Sequence, residues 1–322
     1  MNQNVSDYDK YNYNYEEYWS NKEVNRNYEN EAEKTALLKL LPKKDTLPSG
    51  ADSWFCDLGA GFGRLFDVYG EFYQNIVLVD YSVENMRKAK DRILKSIPKD
   101  PKDPNSLKAP NIYFIAANAY GLPFKNETID CLMSVRMMHH LENSEKAIGQ
   151  IRNVLKSKGS LILEYANKRH FVEVIRAMMG KSEMKPFTLQ PYHRGEDLFF
   201  NFHPKYIRNL LASSFRVKKT VSVSNLRSGL LKKILPTKVM LFIDKIFHPV
   251  FNLFKFGPSI FVLAEKKVHP APDGQKIAHT IANILQCPRC GSYELIFLKN
   301  EIRCKECEKH YPIIDGVYDF RV

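Results

Sequence analysis

The chain reads as an α/β protein: a doubly wound parallel sheet followed by a second, smaller β domain. Three features predict this. Short apolar runs alternate with amphipathic helical stretches between Trp54 and Glu164. The first run opens directly onto three alternating glycines, Gly59, Gly61 and Gly63. Two Cys-x-x-Cys pairs, Cys287/Cys290 and Cys304/Cys307, stand thirteen residues apart near the end of the 322-residue sequence.

The elements follow in order. Residues 1–50 make an N-terminal cap segment, rich in Tyr and Asn and carrying Trp19, and Glu31–Leu41 reads as a helix that ends at Pro42. Phe55-Cys-Asp-Leu58 is a buried strand, followed by a tight turn and a helix at Arg64–Tyr69. Ile76–Asp80 is the second buried strand. Ser82 caps the next helix, which aligns Met86, Ala89 and Ile93 on one face. Four prolines within 98–110 mark a solvated loop. Ile112–Ala116 is the third strand, and Asp130–Val135 is the fourth, leading into Met137-Met-His-His-Leu141. A helix capped near Ser144 stops at Gly159, and Leu161–Glu164 is the fifth strand. This alternation implies right-handed crossovers. After a helix near Pro204–Leu211, Val217–Val223 and Pro258–Glu265 read as the antiparallel pair that closes a seven-stranded sheet over residues 51–267. Insertions at 167–200 and 228–257 interrupt its second half. The prolines and glycine of Val268–Gly274 open a linker, 268–284, before the small domain at 285–322.

A strand, a glycine turn and a helix N-terminus present bare backbone to a nucleotide-containing ligand. The spacing narrows the ligand. A dinucleotide fingerprint requires a third glycine at position 64, where Arg64 stands. Asp80 lies about 20 residues past the turn, the separation at which a carboxylate accepts hydrogen bonds from ribose hydroxyls.

Asp57 with Gly-x-Gly-x-Gly resembles motif I of the class I S-adenosylmethionine (SAM) methyltransferases. From Trp54 to Glu164 the chain is similar, motif by motif, to their type 11 group, which includes quinone-biosynthesis enzymes and wobble-uridine tRNA methyltransferases. Taken singly, each motif is matched by a plain strand-to-helix turn or an ordinary helix cap; the set in register favours the methyltransferase. The resemblance implies a Rossmann-like methyltransferase sheet, with Asp57, Gly59, Ala60, Gly61 and Gly63 cradling the methionine part of SAM. It also implies Asp80 on the ribose, Tyr81 beside the adenine, and Asn118 with Ala119 at the adenine amino group, where the family usually has Asp. An amide oxygen accepts that N–H as a carboxylate does. Arg136 points to the same edge.

In this fold His139 and His140 lie near the transferred methyl and are the base candidates, His140 first. One of the two is read as a buried, hydrogen-bonding histidine. Tyr165, Asn167 and Arg169, at the end of the fifth strand, are acceptor-binding candidates, and Tyr15 and Trp19 supply an apolar wall from the N-terminal segment. Ser134-Val-Arg-Met lacks the Asn/Asp-Pro-Pro-Tyr pattern, which argues against methylation of an exocyclic base amine.

Cys287, Cys290, Cys304 and Cys307 at the ends of a hairpin can place four thiolates tetrahedrally, the arrangement of a closed structural Zn²⁺ site. Disulfides are the rival, and they need an oxidising compartment; no apolar signal segment is evident, so the expected location is cytoplasmic. Cys-Pro-Arg-Cys together with Tyr311-Pro-Ile-Ile-Asp-Gly316 resembles the small zinc-binding proteins that activate tRNA, rRNA and release-factor methyltransferases. That family docks on its enzymes by strand pairing, and here the module is fused. Recognition of substrate and simple shielding of a catalytic surface are both open for it.

Residues 166–268 carry 19 Lys/Arg against 6 Asp/Glu and account for the whole basic excess of a chain with net charge +12. A basic, aromatic-bearing lid suits an anionic acceptor, although a solvated basic surface reads the same way. The expected acceptor is an anionic small molecule or metabolite. RNA, with ribbon and lid as the platform, is the alternative, and a silent SAM-binding scaffold is a third. Asp244, Lys245 and Pro249 interrupt the apolar run at 239–256, so no spanning helix is expected there. An internal core helix is the preferred reading of that run, with peripheral membrane contact through 228–257 as the alternative.

Overall fold

A computed structural model describes residues 15–20, 26–42, 53–97, 110–195, 198–227, 229–268 and 280–321. The proline-rich loop expected within 98–110 and most of the 268–284 linker lie outside the described residues.

The chain opens with helices α1 (Tyr15–Ser20) and α2 (Asn27–Leu40). Then follow β1 (Trp54–Leu58), α3 (Phe66–Tyr69), β2 (Asn75–Asp80), α4 (Val83–Ser96), β3 (Asn111–Ala116) and β4 (Ile129–Ser134). A 3-10 turn at Met138–His140 leads to α5 (Ser144–Val154), β5 (Leu155–Ala166) and α6 (Phe171–Met178). The two-residue strands β6 (Tyr192–His193) and β7 (Phe200–Asn201) pair with each other before α7 (Pro204–Ala212) and β8 (Phe215–Val223). Helices α8 (Gly229–Ile234) and α9 (Thr237–Phe254) precede β9 (Ser259–Lys266). The C-terminal module comprises α10 (Ile281–Ile284), β10 (Leu295–Phe297), β11 (Glu301–Cys304), β12 (His310–Ile314) and β13 (Val317–Asp319).

Seven strands run in the order β3-β2-β1-β4-β5-β9-β8, parallel from β3 to β5, with β9 antiparallel to β5 and β8. Period-two alternation divides β1 between two cores. Trp54, Cys56 and Leu58 face one side with α5, α7 and α10; Phe55 faces the other with α2, α3 and α4. Buried Cys56 and Cys131 act as small apolar residues within them. Ser82 caps α4 as expected, its Oγ accepting from Asn85 N at 2.9 Å.

The small β module joins the same sheet. Among the described residues the sheet has eleven strands, because β13 pairs in parallel with β3 and brings β12, β11 and β10 after it. The unpaired edge of β3 is thereby covered. A second tie is an antiparallel bridge between Phe124 and Leu285, flanked by Lys125 N to Ile284 O at 2.8 Å and Gln286 N to Pro123 O at 3.0 Å. Ile284, Leu285, Ile302, Tyr311 and Phe320 pack into the core beneath the catalytic sheet.

Two further expectations are corrected. The helix begun at Asn143, whose side chain caps it, ends at Val154 instead of Gly159: from Leu155 the chain is already extended, and Lys158 takes the left-handed conformation ahead of the glycine. Residues 239–256 join the core only in part: Met240 of α9 is buried in it, while Phe242, Ile246, Val250 and Leu253 are exposed.

Candidate active site

The carboxyl ends of β1, β2, β3 and β4 converge on the glycine turn. Gly59, Gly61 and Gly63 have φ of +81°, +55° and +72°, a backbone only glycine adopts without strain. Room matters as well: a Cβ on Gly59 would stand 2.7 Å from Met137 Cβ, and one on Gly63 would stand 3.0 Å from Ile93 Cδ1. The turn's amides are not left open. Gly59 N and Ala60 N donate to Val79 O at 2.7 and 3.1 Å, and Gly61 N donates to Asp80 Oδ2 at 2.9 Å. Ser82 N donates to the other oxygen, Oδ1, at 3.0 Å. Asp80 is thus fixed to both the turn and the α4 cap, and the turn contributes shape and close approach more than free donors.

Asp57 is buried below the turn and accepts from the Tyr69 hydroxyl at 2.6 Å. Burial pushes its pKa up to about 7, against the opposing pull of the Tyr69 bond and Arg64. Tyr81 is half-buried, with the Arg321 guanidinium 5.8 Å from its ring centroid. Arg321 is held by Asp319 through Nε and Nη2 at 2.9 and 2.8 Å, so the C-terminal module reaches Tyr81. Asn118 accepts from Tyr120 N at 2.9 Å through Oδ1, which leaves a second lone pair on that oxygen. Ala119 is buried beside it.

A cationic cluster gathers around Trp19. Trp19 of α1 is buried, with Arg64 at 3.7 Å, Arg136 at 4.9 Å and Arg26 at 5.9 Å from its ring centroid. Glu33 of α2 is fully buried between two of these cations, bonded to Arg64 Nη2 at 2.5 Å and to Arg136 Nε at 2.7 Å. Burial alone pushes its carboxyl up, but Arg136 and Arg64 outweigh that and hold it below the usual range. Arg136 itself is left-handed, φ +58°, with its N–H donating to buried Glu164 Oε2 at 2.8 Å. Three guanidiniums thus cluster here, with Glu33 bonded to two of them, Asp57 near Arg64 and Glu164 near Arg136. The side chain of Tyr15 lies outside the described residues.

On the acceptor side, His139 is buried with its ring 4.2 Å from His140 and 4.6 Å from Phe199, centroid to centroid. Its Nδ1 has no hydrogen-bond partner among the described residues, and burial, with neighbouring His140 and Arg136, holds its pKa well below the usual value. His140 is half-buried and its Nδ1 lies 3.0 Å from Leu198 O, a contact that makes Nε2 the basic nitrogen. Tyr165 and Asn167 are both buried. Tyr165 sits in the core, and Asn167 is fully buried, its Nδ2 donating to Lys255 O and Gly257 O at 2.7 and 2.8 Å. Asn167 therefore anchors the lid to the sheet. Arg169 is half-buried, its N–H donating to Asn167 Oδ1 at 2.9 Å.

Sequence reasoning missed Glu33, Glu164, Asp319 and Arg321. Glu29 and Glu33 were findable: they share the buried face of α2 with Ala32, Ala36 and Leu40, and carboxylates on a helix's apolar face need cationic partners.

In the C-terminal module the four cysteine sulfurs lie within 4.8 Å of one another. Cys287 Sγ is 3.6 Å from Cys307 Sγ, and Cys290 Sγ is 3.6 Å from Cys304 Sγ. A disulfide needs about 2.05 Å, whereas four thiolates at about 2.3 Å around a tetrahedral Zn²⁺ stand about 3.8 Å apart. The donor set fits zinc and leaves no open position.

The chemistry around the turn likewise fits SAM: an acid for the ribose, a flat ring and an amide for the adenine, and cations for the carboxylate. Fold and site together define a class I SAM-dependent methyltransferase domain. Residues 56–163 match a family model described as a methyltransferase domain, and residues 279–316 match that of Trm112p-like proteins. Among curated proteins, the chain is 29% identical over 137 residues to an uncharacterized protein of Methanocaldococcus jannaschii, covering 42% of this chain and 48% of that one. It is 27% identical over 111 residues to the ubiquinone/menaquinone biosynthesis C-methyltransferase UbiE of Marinomonas sp., covering 34% and 39%. The chain thus spans less than half the length of these curated relatives. Its fold is similar to a chain from the complex between the Haloferax volcanii Trm112 methyltransferase activator and a methyltransferase, with TM-score 0.50, 12% identity, and coverage of 80% and 97%. Residues 56–163 thus carry a methyltransferase domain of the SAM-dependent kind, and a Trm112p-like module with a four-cysteine cluster suited to zinc is fused behind it.

Proposed function

We propose that the chain transfers the methyl of SAM to an anionic small molecule or metabolite that enters between the His139–His140 turn and the basic lid. The observation that carries this reading is the union of the glycine turn, locked to Asp80, with the Arg64–Glu33–Arg136 corner over Trp19. SAM supplies a methyl already activated on a sulfonium. The chain's own residues have the lesser task of binding, alignment and proton removal. Arg26, Arg64 and Arg136 take the carboxylate, Asp80 the ribose hydroxyls, and Tyr81 and Asn118 the adenine. His140 Nε2 receives the acceptor's proton where the acceptor carries one. Buried, neutral His139 holds His140 and Phe199 in place. The name of the Marinomonas relative, a biosynthetic C-methyltransferase, supports a small-molecule acceptor.

RNA is the second reading, supported by the basic excess of residues 166–268 and by the Trm112p-like module. Incubation of the protein with tritiated SAM and fractionated host extract tests both. Label in small metabolites or lipid supports the first reading. Label confined to RNA replaces it with the second, and the absence of label from every fraction refutes methyl transfer.

A further inference from the structure

Helices α6 and α9 leave most of their apolar side chains outside. On α9 Met240 reaches the core, and polar groups turn inward beside it. Asp244 is buried and accepts from Tyr28 Oη at 2.9 Å and Asn225 Nδ2 at 2.6 Å, while Asn252 Oδ1 accepts from Ser222 N at 3.3 Å. The outward stripe, Val239, Phe242, Ile246, Val250 and Leu253, steps by three and four residues and is wholly apolar; Phe242 is 63% and Leu253 76% exposed. Helix α6 repeats the pattern. Its buried residue is Glu173, which accepts from Ser182 Oγ at 2.7 Å, while Val172, Ile175 and Met178 point out, Met178 at 79% exposure. The two faces are continuous. Phe171, at the start of α6, packs on Phe256 with centroids 5.8 Å apart, Phe256 stacks on Phe254 at 5.3 Å, and Phe171 N donates to Phe256 O at 2.9 Å.

Scattered exposed apolar residues are ordinary, but a contiguous two-helix face is a contact surface. Its rim states the partner's charge. Arg176 and Lys181 of α6 and its end, and Lys238 and Lys245 of α9, are all exposed, whereas the acids of the two helices, Glu173 and Asp244, are turned inward and bonded; Glu183, just beyond α6, is the exposed exception. A second copy of the chain is a poor occupant, because a two-fold contact would set this basic rim against itself. No helix of the described residues is long and apolar enough to cross a membrane. An apolar stripe a few side chains deep, ringed by Lys and Arg, is the geometry of a helix lying in an anionic interface.

We propose that the α6–α9 face docks the protein on the surface of an anionic lipid bilayer. Asn167 fastens the end of α9 to the acceptor edge of β5, so docking brings the acceptor side to the membrane. This goes beyond the methyl-transfer reading and is tested without reference to it.

The full chain is co-sedimented with phosphatidylcholine vesicles and with vesicles containing about 30% phosphatidylglycerol, at low and high salt. The expected result is binding to the anionic vesicles at least tenfold tighter than to the neutral ones, weakened by salt. The double variant Phe242→Asp/Leu253→Asp loses at least tenfold in binding with an unchanged melting temperature, whereas Leu94→Asp, on exposed α4, retains it. Equal failure of the wild type on both vesicles overturns the proposal. So does a wild-type dimer that the double variant converts to monomer, which would give the face to a second copy. Should the double variant fail to fold, Lys238→Glu/Lys245→Glu serves instead, and anionic binding that survives it overturns the proposal.

Discussion

On the proposed reading, Asp57 should couple SAM binding to pH. It is buried beneath the glycine turn, and burial pushes its pKa up to about 7 from an unfolded value of about 4. Between those values the unfolded chain has released a proton that the native state still holds. Native stability therefore falls as pH rises through this window, by at most about 4 kcal/mol. A cation bound beside the carboxylate recovers that cost, and SAM brings both an ammonium and a sulfonium. SAM affinity is expected to rise about tenfold per pH unit from about pH 5.5 to 7 and to level off above. Calorimetric titration below about pH 7.5 keeps the ligand's amino group charged. In Asp57→Asn the slope disappears, and the ligand-free protein melts higher than wild type at neutral pH. Glu164 is also raised, by burial against the opposing pull of Arg136 and Ser259, and any residual slope in the variant belongs to it. An affinity independent of pH in the wild type, or a slope unchanged in Asp57→Asn, refutes the reasoning.

Other outcomes follow from the same geometry. Gly59→Ala imposes a left-handed alanine, costing about 1 kcal/mol, and drives Met137 aside from a 2.7 Å contact; SAM binding should weaken at least tenfold by calorimetry, and an unchanged affinity contradicts the close-packed turn. Glu33→Gln leaves Arg64 and Arg136 without their shared buried charge and should cost about 3 kcal/mol in urea unfolding. His140→Ala should lower kcat about a hundredfold with SAM affinity intact; if His139→Ala alone does so, the base is the buried histidine. Stripping the metal with a chelator, or Cys304→Ser, should release zinc measurable by mass spectrometry. It should also lower the melting temperature of the whole protein by roughly 10 °C, because Ile284, Leu285 and Phe320 belong to the catalytic core. A catalytic domain that melts as before speaks against that shared core.

The sequence alone determined whatever depends on neighbours along the chain. Burial of consecutive apolar residues fixes β1 and β2, the spacing Gly59-x-Gly61-x-Gly63 fixes the turn, and the two Cys-x-x-Cys pairs at hairpin ends fix the metal set. Each is a local pattern with a physical requirement attached. Tertiary structure decided what depends on contacts between distant segments. Glu33 meets Arg64 and Arg136 across 31 and 103 residues, and Asp319 and Arg321 come to Tyr81 from the far end of the chain. Tyr165 shows the same limit from the other side: its strand position was legible, but which face of β5 it occupies depends on the sheet's register with β4 and β9. The apolar run of α9 carried no sign of its direction either. A helix's periodicity shows that it has a face; Tyr28 and Asn225, binding Asp244 from elsewhere in the fold, draw that carboxylate inward beside Met240 and leave most of the apolar side chains to the solvent.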